Sequence, residues 1–88
     1  MSARGGNLLA RARRAPAGFS VADLRQLYVM FGFEIRPGNH PIAKHPTFPY
    51  LRATLPNHRS FAKEYVRTAV KLIDEVLRLE QEENDDEQ

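Results

Sequence analysis

The feature that most constrains the fold is the stretch between residues 33 and 56, where two short segments alternate apolar and polar residues and a third plausible strand, with Pro41 at an edge or bulge position, lies between them. Alternation over four to six residues is typical of a strand with one buried and one exposed face. The segments cover residues 33–36, 40–45 and 50–55, and Pro, Gly and Asn residues stand between them. Because connections this short join neighbouring antiparallel strands, the sequence predicts a small three-stranded antiparallel sheet.

An amphipathic segment flanks this stretch on each side. Before it, Ser20 is a favourable N-cap, Asp23 places a carboxylate in the first turn, and Gly32 is a helix stop after a run of apolar residues at helical spacing. After it, Ser60 is a candidate N-cap for a second helix predicted to run to about Glu80. Each helix has one apolar side, so both are expected to pack on the same face of the sheet and to leave the other face open. The predicted class is α+β, in the order α-β-β-β-α.

The size and composition indicate one small protein domain. The chain has 88 residues, no cysteine and no apolar run that approaches a membrane span. The absence of cysteine excludes disulfides and thiolate metal sites and favours a cytoplasmic protein. We expect a flexible basic arm over residues 1–18, a folded domain over 19–80 and an acidic tail over 81–88, with no membrane contact.

Charge is divided unevenly along the chain. Residues 1–78 hold all 13 Lys and Arg against five acidic residues, whereas residues 79–88 hold six acidic residues and no basic one. A folded body with a net charge of +8 attracts polyanions. The acidic end is either a solvated helix end or a mobile competitor for the basic surface.

Four short motifs follow one another in a fixed relation to the predicted elements. They are Gly32-Phe33, Gly38-Asn39-His40, Lys44-His45-Pro46 and Leu55-Pro56-Asn57-His58. Over about residues 20–75 this pattern resembles the HicA family of toxins. The resemblance implies a double-stranded-RNA-binding-domain-like fold, cleavage of mRNA, and a HicB-like antitoxin protein as partner.

The resemblance also assigns a catalytic residue. The family's essential histidine corresponds to His40, although Asn39 stands where the family usually has serine. RNA cleavage without a metal or other cofactor needs a base for the 2′-hydroxyl, an acid for the leaving oxygen and a cation for the phosphorane. Histidine suits the first two roles, and Lys44 and Arg36 are the nearest basic residues. Strand alternation would place Lys44 on the same face as His40.

Further residues are candidates for RNA binding. Gly38 lets the backbone approach a phosphate closely. Arg52 is expected on the outer face of the third strand with Tyr50, which could stack a base. Arg59, Lys63 and Arg67 mark the start of the second helix, where backbone N–H groups also favour a phosphate.

The other two histidines have less specific contexts. His45 precedes Pro46 and is interpreted as a structural residue or a residue at the rim of the site. His58 lies just before Ser60, where it helps to cap the second helix or serves as a second acid. The three histidines lack compact ligand spacing, so no metal site is predicted.

Two functions from different classes therefore remain open. One is an endoribonuclease toxin, and the alternative is a non-catalytic RNA-binding or protein-interaction module on the same fold. The second helix is longer than the sheet needs, and its last apolar turns can pack on an antitoxin or on another copy of the chain, giving a homo-oligomer.

Overall fold

The computed structural model describes residues 3–56 and 63–86. Within these residues, three α-helices, one short 3₁₀ turn and three strands follow one another. They are α1 (Ala3–Arg14), the 3₁₀ turn (Pro16–Gly18), α2 (Val21–Met30), β1 (Glu34–Arg36), β2 (Ile42–Lys44), β3 (Arg52–Thr54) and α3 (Glu64–Asp86). The α+β class is confirmed, with one helix more than the α-β-β-β-α order predicted.

The three strands form one antiparallel sheet in the order β1-β2-β3, as the alternation predicted. Each strand is shorter than its predicted segment. Pairing nevertheless continues past β2 and β3, because the Leu55 N–H donates to the Pro41 carbonyl at 2.8 Å and the His45 N–H donates to the Leu51 carbonyl at 3.1 Å. The paired residues therefore cover most of the three predicted strand segments.

One face of the sheet is covered and the other is open. Ala43, in the central strand, is fully buried, and Ile35 and Ala53 pack against the core from the flanking strands. Helix α2 contacts β1 and α3 contacts β3. The core on this side is made of aliphatic and aromatic side chains from all three helices, the sheet and its loops, including Leu9, Leu24, Leu27, Tyr28, Phe33, Val66, Ile73 and Val76.

Helix α2 begins and ends where the sequence predicts. The Ser20 hydroxyl accepts a hydrogen bond from the Asp23 N–H at 3.0 Å, and the Asp23 carboxylate accepts one from the Ser20 N–H at 3.2 Å. This reciprocal pair satisfies backbone donors that would otherwise have no partner. At the other end Gly32 has a φ of +91°, a conformation in which a side chain is strained.

The prediction of a flexible basic arm over residues 1–18 differs from the structure. Residues 3–14 form α1, which packs against α2 and α3, and its Leu9 and Ala12 are buried. The Arg13 guanidinium donates to both carboxylate oxygens of Asp74, and Nη1 lies 3.0 Å from Oδ2. Arg11 contacts Asp23 at 2.7 Å and lies over the Phe19 ring. Few apolar residues suffice here because the arginines find partners on the other helices.

Helix α3 continues past the predicted end. It runs to Asp86, so the proposed boundary between a domain ending at 80 and an acidic tail at 81–88 falls inside a helix. Arg78 pairs with Glu75 and with Glu82, the latter at 2.8 Å, on neighbouring turns. The predicted N-cap, Ser60, lies outside the described residues.

The structure also bears on membrane contact. In the described parts of the chain, no helix combines the length and the apolar character required to cross a membrane. Helix α3 has 23 residues, but charged side chains recur along it.

Candidate functional site

The open face of the sheet carries the side chains that point away from the helices. We define it as Glu34, Arg36, Ile42, Lys44, Arg52 and Thr54, which alternate with the buried positions of the strands. In the strand register, Lys44 pairs with Glu34 on one side and with Arg52 on the other. Directly paired residues have β-carbons about 4.5–5.5 Å apart. Two cations therefore lie side by side across β2 and β3, with one carboxylate beside them on β1.

A second row crosses the open face nearer the β1–β2 connection. Arg36 pairs with Ile42, and Ile42 pairs with Thr54. Ile42 is half-buried, whereas Arg36 and Thr54 are exposed. This row offers one cation, a hydroxyl and a small apolar surface. Together the two rows present three cations and one carboxylate, so the open face is net positive.

His40 is exposed in the connection between β1 and β2. Strand alternation does not fix the direction of its side chain relative to Lys44, because β2 begins only at Ile42 and His40 lies in a bend. The intervening Pro41 is buried and has no N–H to continue the ladder. His40 therefore lies at the Arg36 end of the sheet rather than in its central row.

Gly38 and Asn39 form the turn before His40, and both are exposed. Gly38 has a φ of +144°, which a side chain rarely adopts, and no atom lies within 4 Å of where a β-carbon would be. The glycine is thus required by the backbone conformation and not by close packing. The space beside it is open to a ligand.

The chain leaves β3 at the same end of the sheet. The hydrogen bond from Leu55 to Pro41 holds the end of β3 next to the residue that follows His40, and Pro56 is buried. His58 and Arg59 come next along the chain, and both lie outside the described residues. Lys63 is exposed at the start of α3, where its carbonyl accepts from the N–H groups of residues 66 and 67.

A groove adjoins the open face along β3. It has a volume of about 520 Å³ and is lined by Arg52, Thr54 and Ile42 of the sheet and by Thr68 of α3. Volumes of this order hold small ligands or single groups of a polymer. The groove extends the polar surface from the strands to the helix that follows them.

His45 has a structural role, in agreement with its sequence context. It is buried, and its Nδ1 accepts hydrogen bonds from the N–H groups of Thr47 at 3.1 Å and Phe48 at 3.3 Å. Its ring packs between Phe33 and Phe48, with centroid distances of 5.1 Å to both. Because two donors occupy Nδ1, the ring proton lies on Nε2. His45 therefore shapes the turn between β2 and β3.

Within residues 3–56 and 63–86, no group of three His, Asp or Glu side chains is arranged to hold an ion.

Glu34 was not among the predicted site residues, although it contributes to the open face. It reduces the positive charge of the open face beside Lys44, and the signal was available in the pairing of the two predicted strands. Two strands joined by a short connection pair in reverse order, so a residue near the start of β1 meets one near the end of β2.

Comparison with known proteins adds no assignment. The chain matches no protein-family model, no curated protein and no solved structure.

Proposed function

We propose that this protein is a HicA-like endoribonuclease, which binds mRNA on the open face of its sheet and cleaves it with His40 without a metal. One observation carries the proposal: a net-positive open face has an exposed histidine and a glycine-containing turn at one end. Lys44, Arg52 and Arg36 supply the charge. Phosphate contacts of this kind give affinity without sequence selectivity.

The proposed chemistry uses neutral His40 as the base. His40 takes the proton of a 2′-hydroxyl, the 2′-oxygen bonds to phosphorus, and the bond from phosphorus to the 5′-oxygen breaks. The departing 5′-oxygen takes a proton from water, leaving a 2′,3′-cyclic phosphate and a 5′-hydroxyl. Arg36, at the same end of the sheet, offsets the negative charge of the phosphorane. Asn39 replaces the usual serine and supplies an amide where that family has a hydroxyl.

The packing of the motif residues supports the resemblance to HicA toxins. Gly32 and Phe33 belong to the first motif and His45 to the third, and the three are in contact: a β-carbon on Gly32 would lie 3.0 Å from His45 Nε2. Phe33 and His45 are buried, and Gly32 lies against the His45 ring. The second motif, with His40, is exposed instead. The pattern thus divides into a structural part and a surface part, as expected for a scaffold that holds a site.

The same proposal extends to fold family, partner and location. The run from α2 through the sheet to α3 would be a double-stranded-RNA-binding-domain-like unit, preceded here by α1. A HicB-like antitoxin would restrain the enzyme in the cytoplasm, and exposed Leu77 near the end of α3 offers apolar surface to it or to a second copy. Arg59 and Lys63 would add RNA contacts at the start of α3.

The alternative function is a non-catalytic RNA-binding module, and one observation favours it. His40 is the single exposed histidine among the described residues, because His45 is committed to the turn. Cleavage by one histidine with water as the acid is slower than cleavage by a histidine pair.

The test is cleavage of a labelled RNA by purified protein in the presence of EDTA. Wild type is expected to cut, His40→Ala to bind RNA but not cut, and Asn39→Ser to cut at least as fast as wild type. Circular dichroism confirms that all three are folded. If wild type binds RNA but leaves it intact, the binding module is the correct function; if it does neither, both proposals are wrong.

A further inference from the structure

A second basic surface lies on the helical side of the protein. Helix α1, the 3₁₀ turn and α3 enclose a groove of about 510 Å³, which we call the helical groove. Its lining includes four cations, Arg13, Arg14, Arg67 and Lys71, above a floor that contains Val70. None of the described residues that line it is acidic. A groove lined in this way suits an anion, and the proposed mechanism does not use it.

The four cations differ in how firmly they are already paired. Arg13 is held by both oxygens of Asp74, and this hydrogen-bonded pair raises the pKa of the guanidinium. Arg67 lies 3.5 Å from Glu64, and both side chains are mostly exposed, so this pair is weak. Within the described residues, no carboxylate forms a salt bridge with Arg14 or Lys71. The helical groove thus has one fixed cation and at least two that can turn toward a ligand.

The helical groove and the open face lie on different sides of α3. Arg67, Val70 and Lys71 face α1, whereas Thr68 and Tyr65 line grooves shared with β3. Residues 67 and 71 are one turn apart, so their side chains project on the same flank of the helix. A ligand that reached both surfaces would have to be a long chain that wraps around α3.

We propose that the helical groove is a second phosphate-binding site, which takes the backbone of the RNA bound on the open face. This inference rests on the proposed function, since it takes RNA as the ligand. Two linked phosphate surfaces raise affinity because the second contact forms within one complex. The groove requires α1, since Arg13 and Arg14 come from that helix. Residues 3–14 are thereby part of the binding surface.

The test compares two double variants with equal charge change. Arg14→Gln with Lys71→Gln removes the two cations without salt bridges from the helical groove. Arg25→Gln with Arg78→Gln removes two exposed cations elsewhere on α2 and α3. The probe is a fluorescent single-stranded RNA with 2′-O-methyl groups, which cannot be cut through its 2′-oxygen. Kd is measured by anisotropy at salt concentrations between about 50 and 300 mM.

The groove variant is expected to bind about tenfold more weakly at the lower salt, and its log K against log salt should be less steep by about 1.4. The control should keep the wild-type slope. If both double variants lose affinity equally, only net charge matters and the helical groove is not a site. If the groove variant binds like wild type while Lys44→Gln with Arg52→Gln does not, the groove inference is wrong and the open face stands.

Two further outcomes distinguish a failure of the groove inference from a failure of the proposed nuclease function. RNA binding that depends on the groove, with no cleavage by wild type, supports the groove and contradicts only the nuclease function.

Sedimentation tests whether the acidic end of α3 from a second copy of the chain occupies the groove instead. If wild type self-associates, the groove variant is monomeric and its RNA slope is unchanged, then the groove binds a second copy and the phosphate proposal is wrong.

Discussion

The imidazole of His45 lies so close to Gly32 that a β-carbon at residue 32 would be 3.0 Å from Nε2. Gly32 ends α2 with a φ of +91°, and His45 follows β2 with Nδ1 bonded to the next turn. The two residues thus join the end of a helix to the end of a strand. A substitution at Gly32 is therefore expected to disturb the turn that His45 holds.

Gly32→Ala is therefore expected to lower the free energy of unfolding by about 2–4 kcal/mol, because a strained backbone and a displaced imidazole both contribute. Urea unfolding followed by circular dichroism measures this. Gly18→Ala is the matched control, since no atom lies within 4 Å of a β-carbon there and its φ is not in the positive range. Equal stability of the two variants would show that the contact with His45 carries no weight.

Substitution of the two described histidines should change the free energy of unfolding by different amounts. His45→Phe keeps a ring between Phe33 and Phe48 but leaves the N–H groups of Thr47 and Phe48 without their acceptor. We expect a loss of about 1–3 kcal/mol in the free energy of unfolding. His40→Ala, at an exposed bend, should change it by less than about 0.5 kcal/mol. A stable His45→Phe variant would show that the turn does not depend on the imidazole.

The sheet and α2 were predictable because their signals are local. Alternation and turn residues define the strands, and Ser20, Asp23 and Gly32 define the helix. The same alternation places Arg36 and Arg52 on the open face. Their role in RNA binding stays a prediction.

Helix α1 was not predictable from local signals. Gly5 and Gly6 lower its intrinsic helix propensity, and only a few apolar residues follow them. Its docking depends on partners far along the chain, such as Asp74, which is 61 residues from Arg13. His40 lies at the junction between the turn and β2, as predicted, but its side-chain direction was not predictable, because Pro41 pairs with Leu55 only through its carbonyl and the regular strand begins at Ile42.

The docking of α1 can be tested through its buried leucine. Leu9→Ala is expected to cost about 2–3 kcal/mol, because the side chain is 8% exposed and its removal leaves a cavity. Leu77→Ala, at a position 40% exposed, should cost less than about 1 kcal/mol. Urea denaturation of the two variants gives the comparison. A flexible arm over residues 1–18 would instead make Leu9→Ala the milder change.

Stability should fall at alkaline pH because of Tyr28. Burial raises the pKa of its phenol above the ordinary value, so the folded state holds the proton more tightly than the unfolded state. Its contribution is complete below a pH of about 10 and is lost as the pH rises further, by up to about 1.4 kcal/mol per unit. Tyr28→Phe should flatten this decline, whereas Tyr50→Phe, 68% exposed, should leave it unchanged. Parallel declines in all three proteins would contradict this assignment.

The open face should bind RNA more tightly when its one carboxylate is removed. Glu34 pairs with Lys44 across the strands and competes with phosphate for that cation. Glu34→Gln is expected to lower Kd about two- to fivefold at low salt, with a smaller gain at high salt, because exposed charge interactions are weak and screened. Glu80→Gln, exposed on α3, changes net charge equally and is the control. Anisotropy with the uncleavable RNA measures the Kd of both variants. An equal gain in affinity would show that overall charge, and not the pairing of Glu34 with Lys44, causes the effect.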